Sequence, residues 1–316
     1  MIKISKLIMA ITMLSIVATS CKKYDSELPT IAGIAVAGAD FSTLEAAAVL
    51  GGVAVTLSNK STHPTGNYTV FAPNNSAFAR LGLTDGGSLA ALNTTFLTNT
   101  LLYHTSGGNI AGSAIVSGGS SASITGLNRR YIFRGSDKYI NGSKILATDV
   151  KASNGTVHVI DKVILATGVN IVASAQAVAG GGVFKAPELT FLVAAVVKSG
   201  LAGVLSDPMA NFTVYAPTDA AFRAIGFATV QDVSNAPAAT LQAVLLNHAL
   251  GGGRFTSEYS GTTATTAGGG TLMYGPFNNG VFTIKSNGIT TPANMVIPDI
   301  LCSNGIVHII DRVLLP

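Results

Sequence analysis

Thr69-Val70-Phe71-Ala72-Pro73-Asn74-Asn75-Ser76-Ala77-Phe78 reads as a strand that runs into a proline and then into a capped helix. The same pattern returns as Thr213-Val214-Tyr215-Ala216-Pro217-Thr218-Asp219-Ala220-Ala221-Phe222. A second box, Ser153-Asn154-Gly155-Thr156-Val157-His158-Val159-Ile160-Asp161-Lys162-Val163-Ile164-Leu165, returns as Ser303-Asn304-Gly305-Ile306-Val307-His308-Ile309-Ile310-Asp311-Arg312-Val313-Leu314-Leu315. Order is kept and the spacing barely drifts, so the chain reads as one domain duplicated in tandem. The period is domain-sized, far beyond a solenoid repeat.

Working outward, each copy begins with helical spacing: Phe41, Leu44, Ala48 and Val49 in the first, and Leu189, Leu192, Val193, Val196 and Val197 in the second. Tyr68 to Ala72 is β-branched and aromatic, as a strand should be, and Pro73 stops it. Asn74 or Asn75, and Thr218 or Asp219, can accept from the free amides of the next helix. Phe78 and Phe222 on that helix should enter the core. A second helix is predicted over Leu89 to His104 and Ala238 to His248, ended by Gly107-Gly108 and by Gly251-Gly252-Gly253. Short strands follow, with turn signals at Asn128, Asn141-Gly142, Asn278-Asn279-Gly280 and Asn287-Gly288. The closing box begins at an Asn-Gly turn and is apolar on both faces, which predicts a strand central in its sheet.

The paired boxes resemble the two signatures of the fasciclin (FAS1) family, and the resemblance covers nearly all of the chain outside its N-terminal segment. It implies an α+β fold: two tandem FAS1 domains, each a mostly antiparallel β-sandwich or wedge with several packed helices. Boundaries follow at 1–20 for a signal peptide, 21–30 for a lipidated tether, 31–166 for the first domain and 167–316 for the second. The family's Tyr-His pair appears as Tyr103-His104, while the second copy departs from it with Asn247-His248. In animal members that region and a Pro-Asp-Ile segment before the closing box are associated with integrin binding. Pro298-Asp299-Ile300 matches the segment and Thr148-Asp149-Val150 does not. Tyr103, His104, His248, Pro298, Asp299 and Ile300 are therefore carried over as a possible exposed contact surface.

Lys3 and Lys6, an apolar run from Leu7 to Ala18, and small residues before Cys21 form a secretory signal too short to span a bilayer. A cysteine at the cleavage point, followed by polar residues, resembles a bacterial lipoprotein signal, with Cys21 as the lipidation site and the outer membrane as destination. The alternative is an ordinary signal peptide with an incidental cysteine. Cys302 then lacks a partner, and its apolar surroundings predict a buried inert thiol. Formal charge is +4, with 11% charged residues and no clustered basic patch beyond Lys22-Lys23 and Arg129-Arg130, which excludes a nucleic-acid footprint. The junction from Ala166 to Lys185 has no long polar linker, so the domains should lie close, with a modest interface.

Catalytic signatures are missing: no phosphate loop, no His-Glu-x-x-His and no nucleophile elbow. No catalytic residue, metal site or cofactor is assigned, since two histidines per copy without a matched Cys or carboxylate cluster are thin for a metal. Strand alternation puts His158 and Asp161, and likewise His308 and Asp311, on opposite faces. With Asn154 and Asn304 they read as structural. His104 ends a helix beside a Gly turn, where imidazole can meet free carbonyls.

The function that follows is a noncatalytic, envelope-anchored adhesion protein making weak protein or glycan contacts. One alternative is a glycan-capture lipoprotein using Tyr131, Phe133, Tyr139, Tyr259 or Tyr274 as stacking platforms. The other is an enzyme of unrecognised type.

Overall fold

The opening and closing boxes of each copy become neighbouring strands, and everything else is arranged around that pair. The computed structural model describes residues 28–316. The signal peptide, Cys21 and most of the expected tether lie outside the described residues.

In the first copy α1 (Ile31–Ala37), α2 (Ser42–Leu50) and α3 (Ala54–Ser58) precede β1 (Tyr68–Pro73), α4 (Asn75–Ala79) and α5 (Thr94–Tyr103). Then come β2 (Thr105–Gly107), β3 (Ser120–Ala122), β4 (Asn128–Arg134), β5 (Asp137–Ile140), β6 (Ser143–Ala152), β7 (Gly155–Ile160) and β8 (Leu165–Ala166). Seven of these strands form one sheet in the order β2-β1-β7-β6-β5-β4-β3. The closing-box strand β7 is central, as its two apolar faces require. It runs parallel to β1, with Phe71 opposite His158, inside a sheet whose other pairings are antiparallel.

The second copy repeats the plan with α6 (Ile171–Ala179), α7 (Thr190–Lys198), α8 (Ala202–Ser206), β9 (Phe212–Pro217), α9 (Asp219–Ala224), α10 (Val230–Asn235) and α11 (Ala238–Leu246). Its strands are β10 (Ala249–Gly251), β11 (Thr263–Thr265), β12 (Thr271–Tyr274), β13 (Ile284–Ser286), β14 (Met295–Cys302) and β15 (Gly305–Ile310). Here the sheet divides into five strands, β10-β9-β15-β14-β8, and three, β11-β12-β13. The cause is local. In the first copy β5 and β6 are joined by the two-residue turn Asn141-Gly142, both at positive φ, 45° and 79°. In the second copy residues 287–294, which include Pro292, separate β13 from β14, and Asn287-Gly288 turns without positive φ.

Several local expectations are corrected. The helix expected from Leu89 is a 3₁₀ turn over Ser88–Ala91, and α5 starts only at Thr94 because Asn93 accepts from the Thr95 and Phe96 amides. Asn128 opens β4, and the turn falls at Gly126 with φ 83°. Of the two capping candidates in each copy, Asn74 and Thr218 cap α4 and α9. Their neighbours reach sideways: Asn75 accepts from the Thr43 amide and Asp219 from the Phe191 amide, tying each short helix to the helix before the box.

The domains meet far more intimately than the junction's composition suggests. β8, the last two residues of the first domain, adds to β14 as the edge of the second copy's sheet. Four cations of the first copy reach the second: Arg80, Arg130, Arg134 and Lys162 donate to the carbonyls of Asn279, Gly253, Tyr259 and Gly280, at 2.5, 3.0, 2.5 and 2.9 Å. Arg130 also stacks over Phe255 and Arg134 over Phe277. Phe96, from the first copy, sits within the second copy's principal core.

Candidate functional site

Asn154 and Asn304 stand where the chain turns into the closing strand. Asn154 accepts from the Ile31 amide and donates to the carbonyls of Leu57 and Asn59, each at 2.8 Å. Asn304 makes the matching trio with Ile171, Leu205 and Asp207 at 2.9, 3.0 and 2.9 Å. Each amide thus ties the first helix of its domain to the third. The following Gly155 and Gly305 are obligatory, because a Cβ there would fall 2.0 and 2.1 Å from the carbonyl oxygens of Tyr68 and Phe212.

His158 and His308 are fully buried on the closing strands. Nδ1 accepts from the amide of Asp149 at 3.2 Å in one copy and of Asp299 at 3.0 Å in the other, so Nε2 carries the proton and donates to the carbonyls of Ile110 and Arg254. Burial holds both imidazoles below their ordinary pKa. Neither ring meets the aspartate three residues on. Asp161 accepts from the Lys144 amide, the Ser143 hydroxyl and Arg80, and Asp311 accepts from the Asn294 amide and side chain.

His104 and His248 carry the opposite tautomer. Nδ1 donates to the carbonyls of Thr100 and Val244 at 2.7 and 2.8 Å, and Nε2 accepts from the amides of Ile164 and Leu314. Desolvation lowers each to a pKa of about 4, leaving both neutral at physiological pH. These residues do not form an exposed surface: Tyr103, His104 and His248 are each 1% exposed. The segment after each closing strand packs over the helix end and meets its histidine, and other parts of the sheet or that same segment take up the neighbouring side chain. The Tyr103 hydroxyl donates to the Asn128 carbonyl and accepts from Asn141, while Asn247 donates to the Leu314 carbonyl.

Pro298-Asp299-Ile300 is corrected in the same way. Ile300 is core, Asp299 is buried and Pro298 alone is partly exposed. Asp299 occupies a left-handed kink, φ 67°, at an irregularity in β14. Its carboxylate accepts from the Thr256 amide at 2.6 Å, the Thr256 hydroxyl at 2.7 Å and Lys162 of the first domain at 2.5 Å. Lys162 has two further acceptors, Thr256 Oγ1 and the Gly280 carbonyl, so all three ammonium protons are placed. Sequence reading missed this pair, because the repeat puts Arg312 at the equivalent position, where it is exposed.

Beside that pair lies a cleft of about 380 Å³ between the domains, within the size range of small-ligand sites. Arg80, Asn141, Lys162, Asn279 and Asp299 supply its polar groups, and its apolar wall includes Leu81, Val163, Val281, Met295, Val296 and Pro298. The proposed aromatic platforms do not contribute. Tyr131, Tyr139, Tyr259 and Tyr274 are core residues, 2 to 8% exposed, and Phe133 lies under Lys138. No group of three or more metal-binding side chains occurs among the described residues. The Cys302 thiol is buried against Ser174, and burial pushes its pKa up.

Comparison with known proteins gives a consistent result. A family model described as the Fasciclin domain matches residues 39–166 and 187–316. The chain is 31% identical over 256 residues to transforming growth factor-beta-induced protein ig-h3 of Sus scrofa, covering 79% of this chain and 35% of that protein. It is 36% identical over 140 residues to protein sll1483 of Synechocystis sp., covering 43% of this chain and 73% of that one. The chain therefore spans about a third of the length of the ig-h3 relative. A solved FAS1 domain pair from the insect cell adhesion molecule Fasciclin I is similar at a TM-score of 0.40 and 17% identity, covering 79% of this chain and 89% of that chain.

Proposed function

The chain belongs to the Fasciclin domain family, and from that premise we propose that it is a noncatalytic adhesion protein of the bacterial envelope, exported by its leader and tethered through lipid on Cys21. Its partner is an extracellular protein or polysaccharide. The observation that carries the noncatalytic reading is the inward use of the repeated polar residues. Asn154, His158, His104 and their counterparts Asn304, His308 and His248 are spent on the chain's own backbone. A general base or nucleophile needs a free lone pair facing a substrate. These have none.

Contact then falls to surfaces, and in the interdomain cleft polar groups and apolar side chains from both domains converge. Val296 is 44% exposed at its wall. Because Lys162, Arg130 and Arg134 fix the domains to each other, the pair presents one binding unit, not two independent ones in series. The buried tyrosines remove the support that stacking platforms gave to glycan capture.

An array of matrix proteins and glycans probed with the whole chain tests this. Binding should appear, and Arg80→Glu or Val296→Asp should weaken it while the chain still unfolds in a cooperative transition well above the assay temperature. Turnover of a small substrate, or binding indifferent to both substitutions, would overturn the reading.

A further inference from the structure

The first three helices of the first domain enclose a second, very different cavity. It holds about 90 Å³ and is walled by Ile34, Leu44, Leu57 and Val70. That is less than the ~150 Å³ of a dry cavity that takes up benzene, so it has room for the end of a hydrocarbon chain and not for a whole lipid. Its rim is apolar except for the half-buried Glu45. Val36 and Val49 line it while 64% and 68% exposed, and Leu50 and Val55, adjacent in sequence to lining residues, are 44% and 73% exposed. Large apolar side chains left this open in one place mark an interaction surface.

Three observations identify the partner as a bilayer. First, residues 28–59 contain no Lys or Arg and only Asp40 and Glu45 as charges, so headgroup electrostatics cannot be the attraction. Second, α1 and α2 together are apolar enough for a membrane but meet at a bend of 107°, and no single described helix is long and apolar enough to cross one. A pair bent this sharply fits a place in the plane of the interface. Third, Cys21 stands ten residues before Ile31, a reach of at most about 35 Å. A lipid on that cysteine would hold the patch next to the membrane.

The second copy keeps exposed valines there, Val197 and Val204 at 62% and 54%, but has less room and a charge beside them. Its corresponding cavity holds about 30 Å³, and α7 ends in Lys198 where α2 ends in Leu50.

We propose that the α1–α3 end of the first domain docks on the lipid bilayer, with the end of an acyl chain entering the apolar cavity between these helices and β1. The tether reading supplies proximity, while docking itself is a property of the folded domain. An acylated Cys21 and this face would then act as two anchors, which stable membrane attachment generally requires. They would also orient the domain pair relative to the membrane.

Sedimentation of the full-length Cys21→Ser chain with phosphatidylcholine vesicles tests the docking apart from the lipid. Binding should persist, remain unchanged between low and high salt, and fall about tenfold or more in Val36→Ser/Val49→Ser, since each fully buried valine is worth about that factor. Val197→Ser/Val204→Ser in the second copy should leave it alone. n-Octanol should raise the unfolding midpoint of the Cys21→Ser chain by filling the cavity. No vesicle binding, equal binding by all variants, or binding that needs anionic lipid and disappears in salt overturns the docking. No octanol effect overturns the cavity's part in it. Absence of fatty-acid labelling at Cys21 in the wild type would remove the tether reading and leave the vesicle result standing.

Discussion

Asp149 in the first copy and Asp299 in the second occupy the same left-handed kink, φ 63° and 67°, in the strand before the closing box. Both lend their amide to the histidine opposite and both accept an amide from the connection that crosses the sheet, Gly112 in one copy and Thr256 in the other. There the likeness ends. Asp149 is partly exposed, and its local hydrogen bonds, the Gly112 amide first, hold its pKa below the ordinary value. Asp299 is buried by the other domain and carries Lys162. Duplication supplied one kink twice, and burial at the interface turned one of them into the joint between domains. A buried ion pair with every hydrogen bond satisfied is weak evidence for net stability but costly to break from one side.

The largest effect should come from separating those two roles. Asn tolerates positive φ, so Asp→Asn tests charge and not backbone. Asp299→Asn strands a buried ammonium and should cost about 3 to 5 kcal/mol of unfolding free energy in urea, whereas Asp149→Asn should cost about 1 kcal/mol or less. Equal costs would mean that Lys162 contributes nothing specific to the second kink.

Acid should act on both copies alike. His104 and His248 have folded pKa values of about 4 against an ordinary 6.5. The unfolded chain therefore takes up the proton first. Their stabilisation is complete above pH 6.5 and is lost as pH falls from there to about 4. By about pH 5 each histidine should have cost about 2 kcal/mol, and by about pH 4 about 3 kcal/mol. Urea midpoints at neutral pH and at pH 5 that coincide would show that these rings titrate in the folded state.

Asn154→Ala and Asn304→Ala should each cost about 1 to 3 kcal/mol, and by the same amount, since each leaves three backbone partners, two of them in buried bonds, unmatched. A difference between them would show that the first-helix anchors of the two copies are not equivalent. The smallest effect belongs to Arg80, whose side chain is 33% exposed in its pair with Asp161. Arg80→Ala should change stability by about 1 kcal/mol or less, because solvent screens the pair.

A further contrast lies in the core. Arg129 and Leu272 hold the same register place, opposite Ser121 and Ala264, and both are fully buried. The guanidinium has no carboxylate partner among the described residues. It is held by the carbonyls of Tyr103 and Ala122, by Ser106, and by the rings of Phe71 and Tyr103. Burial lowers its pKa to about 10, and its Nε has no acceptor. The second copy fills the equivalent region with hydroxyl contacts among Tyr215, Tyr259 and Tyr274.

What the sequence determined by itself is what depends on neighbours along the chain or on a repeated pattern. The duplication, the opening strand ended by Pro73 and Pro217, the capped short helices, the central closing strands, and the separation of His158 from Asp161 all follow from local geometry and period. Exposure did not follow. Tyr103, His104 and Asp299 look like surface residues at helix ends and turns, and only the tertiary structure buries them, because the segments covering them come from elsewhere in the chain. Lys162 and Arg312 are the sharpest case. They occupy the same place in the same motif, yet one is a buried joint and the other a solvated side chain, since burial is set by which face meets the other domain and no local pattern encodes that.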